Sequence, residues 1–128
     1  MIAALTRGIK VSVETFFQPA QSNARIHQFV FAYRITIENI SEDTVCLRRR
    51  HWSIIDADGR KREVEGEGVV GEQPVIYPGK KYQYTSGCNL FYEIGKMYGN
   101  YRMENLNTSD FFDVKIPEFI MVAPFKLN

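Results

Sequence analysis

Three groups of residues in this chain of 128 have types and spacings that chemistry uses. Gly66-Glu67-Gly68-Val69-Val70-Gly71 carries the G-x-G-x-x-G spacing of a dinucleotide loop, whose glycines let the backbone approach a pyrophosphate held at the N-terminus of the next helix. No helix can follow at once here. Pro74 and Pro78 interrupt one, Val69-Val70 favours extended backbone, and Glu65, Glu67 and Glu72 would repel a diphosphate. The stretch is read as a bent loop in which Gly66, Gly68 and Gly71 set backbone geometry. Its binding alternative is a nest of main-chain amides that receives an anion or a peptide.

Arg48-Arg49-Arg50-His51 is the densest basic run, and Arg60-Lys61-Arg62 follows it across a turn. Arg48 and Arg50, on one face of a strand, are the candidate anion-binding residues. Strand alternation separates them from Arg49 and His51, and charges on a strand also block edge pairing. The remaining chemical types are scattered. Cys46, Cys88, His27 and His51 lack metal-ligand spacing, and Asp56-Ala57-Asp58-Gly59 lacks the spacing and closing Glu of a calcium loop. Ser86-Gly87-Cys88 is not a nucleophile elbow. No catalytic residue, metal ligand or cofactor is assigned, and the chain is read as non-enzymatic. Seven tyrosines and nine phenylalanines exceed what one inward face per strand needs. Tyr84 and Tyr98 are therefore candidate contact residues for a protein partner or a homodimer, because exposed aromatics contribute large area at small entropic cost.

Sixteen basic and fifteen acidic side chains leave a net charge of +1, which excludes a general nucleic-acid or membrane-surface binder. The N-terminal apolar run ends at Arg7, too early for a signal peptide. The longest apolar candidates, Phe29 to Tyr33 and Phe119 to Phe125, fall far short of the ~18 residues of a spanning helix. A cytoplasmic protein with two free thiols is the expectation.

The elements that must position these residues are strands. Ile9 to Phe17 and His27 to Glu38 alternate with period two, and Asn39 to Asp43 reads as a hairpin turn between the strands on either side. Val45 and Leu47 point inward with odd parity and Trp52 and Ile54 with even parity, so a bulge within Arg48 to His51 must add one residue. Asp56 to Gly59 and Pro78-Gly79 are turns. Lys81 to Ser86, Tyr101 to Met103 and Phe112 to Ile116 continue the alternation, Pro117 marks a break, and Phe119 to Val122 closes the chain. No helical period is sustained. The fold class is an all-β antiparallel sandwich of seven to eight strands in a single domain over residues 1–128. Its core is predicted from Val11, Val13, Phe31, Tyr33, Ile35, Ile37, Trp52, Ile54, Phe112, Val114 and Ile116.

Trp52 through Arg60, Val64 through Pro74, Pro78-Gly79, Tyr84-Thr85-Ser86-Gly87-Cys88, Gly95 through Met103 and Ile116-Pro117-Glu118-Phe119 together resemble the bacterial ApaG family over nearly the whole chain. The resemblance implies an immunoglobulin or fibronectin type III-like sandwich. It implies no established enzymatic activity. The family's name comes from neighbourhood with a diadenosine tetraphosphate hydrolase, and the family is associated with cobalt and magnesium resistance. Related domains in eukaryotic F-box proteins and in a polymerase-interacting protein imply binding to other proteins. Phe91-Tyr92-Glu93 and Asn107-Thr108-Ser109 depart from the family's usual loop sequences. The expected function is a protein-binding module. The alternatives are binding of a small phosphate-containing anion, such as pyrophosphate or a diadenosine polyphosphate, and the metal-resistance role.

Overall fold

The computed structural model describes residues 1–124; Phe125, the end of the second apolar run, lies outside them. Nine strands form among the described residues: β1 Ile2–Thr6, β2 Ile9–Phe17, β3 Phe29–Asn39, β4 Val45–Asp56, β5 Lys61–Glu67, β6 Val75–Ile76, β7 Lys81–Leu90, β8 Ile94–Asn105 and β9 Phe111–Val122. Two single-turn 3-10 segments, Pro19–Gln21 and Ala24–Ile26, fill the loop before β3. All the strand pairings are antiparallel, in two sheets ordered β1-β2-β3-β7 and β5-β4-β8-β9, with β6 paired to β4.

Period-two alternation drives this arrangement. Every second residue of β3, from Phe29 to Asn39, is buried, and the facing sheet contributes Leu47, Trp52, Ile54, Tyr101, Met103, Val114 and Ile116. All eleven residues assigned to the core are buried. Trp52 packs between the rings of Tyr33 at 5.4 Å and Phe119 at 5.9 Å, which places it at the centre of the sandwich. The bulge expected in the arginine run is present. The β4–β8 register shifts between Leu47 and Arg49, so Arg48 is the extra residue and Arg50, Trp52 and Ile54 share the inward face.

Two expectations fail. Asn39 to Asp43 is not a hairpin: β3 and β4 lie in different sheets, and the segment is a crossover. Buried Asn39 sets its course, donating from its side-chain amide to Asp43 O (2.7 Å) and Ile76 O (2.9 Å) and accepting from the Ser41 amide (3.0 Å) and hydroxyl. Pro117 does not end a strand. It sits inside β9, where the register shifts between Met97 and Gly99, and a bulge there removes the need for its missing N–H. The strand β1 is additional to those predicted. A tight turn with positive φ at Arg7 (47°) and Gly8 (79°) folds it back on β2, the geometry of a two-residue hairpin.

Candidate functional site

The sandwich is joined along one long side, where β9 lies against β1 and β2 and the Lys115 amide donates to the Thr6 hydroxyl at 3.2 Å. On the other side the edge strands β5 and β7 leave a mouth, and Arg50 lies behind it. The bulge puts Arg50 on the inward face beside Trp52, opposite Gly66 of β5. Its guanidinium Nη1 donates to the main-chain carbonyls of Glu67 and Gly68, each at 3.0 Å. A Cβ on Gly66 would come within 2.8 Å of that Nη1, so glycine there makes room for the guanidinium. Among the described residues no carboxylate lies within ion-pair distance of Arg50.

Around this cation the mouth forms two adjoining cavities of 140 and 150 Å³ that share Tyr33, Arg50, Trp52 and Ser86. Tyr84 and the Val69-Val70 pair close the upper cavity, and Val64 and Gly87 border the lower one. Tyr33 and Ser86 face each other across β3 and β7, and both line the two cavities. The Tyr84 and Tyr101 hydroxyls share a short hydrogen bond. Burial pushes the hydroxyls of Tyr33, Tyr84 and Tyr101 up from the ordinary tyrosine range and lifts the Cys88 thiol to about 11, because desolvation penalises their charged forms. These groups stay protonated near neutrality. A larger, open depression of 680 Å³ lies between β1, β2 and β9. Its two acids, Glu14 and Glu118, are paired with Arg34 at 2.9 Å and Lys96 at 3.3 Å, so no unmatched charge marks it.

The glycine loop is held by main-chain hydrogen bonds of its own. Glu67 ends the pairing of β5 opposite Arg49, and Val69 and Glu72 exchange main-chain hydrogen bonds of 2.8 and 2.9 Å around the tip residues Val70 (φ 42°) and Gly71 (φ 81°). The Gly68 amide is donated to Arg48 O at 2.8 Å. The amides of Gly68, Val69 and Glu72 are thus engaged within the fold, and the loop turns the carbonyls of Glu67 and Gly68 toward Arg50. Val69 is fully buried as a plug in the core. Val70 is an outlier, since a β-branched residue at positive φ is strained, and it stands at the rim of the Arg50 cavity. Gly68→Ala is expected to cost about 2–3 kcal/mol, because its Cβ would lie 1.9 Å from Glu72 O at a φ of +59°. Gly71→Ala has open space and is expected to cost about 1 kcal/mol from φ alone. Urea melts of both variants check the difference.

Of the residues singled out in the sequence, Gly66, Gly68, Arg50 and Tyr84 converge on this mouth, and Gly71 sits at the loop tip. Arg48 does not join them. It donates to Glu104 at 2.8 Å and to the Gln73 side chain at 3.1 Å. Tyr98 pairs with Ser53 on the outer face, where the Lys61 ammonium lies 5.9 Å from its ring. Tyr84 is buried, so these two tyrosines form no common exposed surface. The two basic runs do not merge either: Arg50 faces Gly66, and Arg62 faces Ile54 further along β4. Tyr33, Ser86 and Val69 were not among the candidate site residues, and the register between β3, β7 and the loop places them at the site. Arg50 was accessible from the sequence, because the required bulge gives it the parity of Trp52.

An ApaG domain model matches residues 19–105. The ApaG protein of Brucella anthropi is 49% identical over 124 residues, covering 97% of this chain and 95% of that protein, and that of Brucella canis is 47% identical with the same coverage. A crystal structure of the Bordetella pertussis protein described as ApaA superposes with a TM-score of 0.87 at 41% identity, over 91% of this chain and 94% of that one. With the fold and the matched segments in agreement, the chain belongs to the ApaG family.

Proposed function

We propose that this domain is a non-enzymatic binding module for another protein and that the mouth between β5 and β7 receives an anionic group of that partner. The observation that carries the reading is Arg50. A half-buried guanidinium held on two carbonyls with no matching carboxylate among the described residues leaves positive charge in a partly desolvated cleft, where an incoming anion gains more than in water. The hydroxyls of Ser86, Tyr33 and Tyr84 can turn donors toward the same space. Protonated Cys88 and tyrosine side chains suit recognition better than nucleophilic chemistry. Free Cys46 and Cys88 fit a reducing, cytoplasmic setting.

A free phosphate-bearing anion is the second reading, favoured by the small volume of the two cavities. For the metal-resistance role suggested by the resemblance, no group of three or more His, Cys, Asp and Glu side chains is placed to hold a metal ion among the described residues. His27 lies against Tyr92, His51 near Glu63 and Glu65, Cys46 under Gln73 O and Cys88 on β7.

Titration with inorganic phosphate at low ionic strength, followed by amide and arginine Nε resonances, tests the site. Shifts are expected at Arg50, Gly68 and Ser86. Arg50→Gln should abolish them, and added sodium chloride should weaken them. Shifts confined to other surfaces, or unchanged in the variant, would remove the cleft as an anion site.

A further inference from the structure

We infer that the partner enters as an extended acidic segment that adds a strand to the free edge of β7 and seats one carboxylate at Arg50. The inference rests on the anion-binding reading of the cleft and specifies what carries the anion. Its second support is the state of the edge strands. β7 is terminal in its sheet, ten residues long, without proline, and paired to β3 in one unbroken register. The other edges near this mouth and beyond it are guarded. β5 carries Lys61, Arg62, Glu63, Glu65 and Glu67, and β1 is five residues long, both recognised ways of blocking strand addition.

The direction of the β7 hydrogen bonds follows from two contacts. Asn39 donates to Lys80 O at 3.0 Å, so even-numbered positions face β3. The Asn89 carbonyl, at an odd position, accepts from Arg62 across the mouth. Alternation then turns the N–H and C=O groups of Gln83, Thr85 and Gly87 toward the unpaired side. The contact between the Tyr82 hydroxyl and Glu72 at 2.9 Å bounds this open stretch at one end, and the Arg62 contact bounds it at the other. Between them the backbone offers a short ladder. A strand laid there would send every second side chain inward, in line with Tyr84 and Ser86 and over Arg50. Charge selects an acid for that position, because Arg50 and Arg62 are held on main-chain carbonyls through one nitrogen each, with their charge unmatched by a carboxylate among the described residues, and Glu72 at the rim is held by Tyr82. Main-chain pairing supplies affinity and the inward side chain supplies specificity, as in other strand-addition complexes.

The test uses the whole chain and a synthetic nonapeptide of alternating threonine and valine with glutamate at the centre. Binding should shift the amide protons of Gln83, Thr85 and Gly87 and slow their exchange, together with the Arg50 Nε resonance. The same peptide with central glutamine should bind about tenfold more weakly, a difference that Arg50→Gln removes. Thr85→Pro deletes one outward N–H without touching the β3 ladder, and it should abolish peptide binding while preserving the response to inorganic phosphate. A peptide methylated on its inward-bonding amides serves the same end without altering the protein. Phosphate shifts at Arg50 without peptide shifts along β7 would overturn the strand addition and leave the anion site standing. Silence toward both probes would overturn both.

Discussion

Trp52→Ala is expected to lower the free energy of unfolding by about 3–5 kcal/mol, the range for truncating a large aromatic in a core that cannot collapse around the cavity. Trp52 is 2% exposed and holds the rings of Tyr33 and Phe119, which also lie 5.8 Å from each other. Its strand neighbours are fixed by pairings on both sides, to Val64 and to Gly99. Backbone cannot move in to fill the space, since a Cβ on Gly99 would already lie 2.0 Å from His51 O. Trp52 also forms the floor of the Arg50 cavities, so the variant should lose phosphate binding along with stability. Urea melts measure the first effect; a loss below about 1 kcal/mol would show that the two sheets do not depend on this side chain.

Alkaline loss of stability is the second large effect. The Cys88 thiol is lifted to about 11 by burial, and burial likewise raises Tyr33, Tyr84 and Tyr101. Each group is neutral when protonated, and its native pKa lies above its unfolded one. Above pH 9 the unfolded chain has begun to release protons that the native state keeps, so the unfolded state binds fewer and stability falls as pH rises. The contribution is fully present below the unfolded values and disappears as pH climbs through the native ones. One proton of difference is worth about 1.4 kcal/mol per pH unit. With several groups acting together, a loss on the order of 3–6 kcal/mol is expected between pH 9 and pH 11. Denaturant melts at stepped pH check it. A flat stability profile over that interval would mean that these hydroxyls and the thiol are solvated.

The core was legible because alternation is a local property. Val11, Phe31, Ile35, Ile37, Val114 and Ile116 each lie on the buried side that period two assigns them. The change of parity between Leu47 and Trp52 even located the bulge before any coordinates. The crossover after β3 was not legible, since Asn39-Ile40-Ser41-Glu42-Asp43 has turn chemistry in either topology. Only the bond from the Asn39 side chain to Ile76, thirty-seven positions away, separates the two. The strand β1 was hidden because Ile2 and Leu5 are exposed at 44% and 65%, which breaks the buried half of the pattern. Half of the candidate site was readable, namely Arg50 and the glycines that make room for it. The other half depends on which strand of one sheet faces which strand of the other, and no local spacing encodes that.

The unequal closure of the two long sides has a dynamic meaning. Where β9 meets β1 and β2, the two sheets pack together and the Lys115 amide donates to the Thr6 hydroxyl, so that side acts as a spine. The β5–β7 side is spanned by Arg62 on the Asn89 carbonyl and by Tyr82 on Glu72, two exposed contacts of the kind that contribute little individually. Thermal opening of the sandwich therefore pivots about the spine and widens the fore-edge first. Such an opening would widen the approach to the half-buried guanidinium of Arg50.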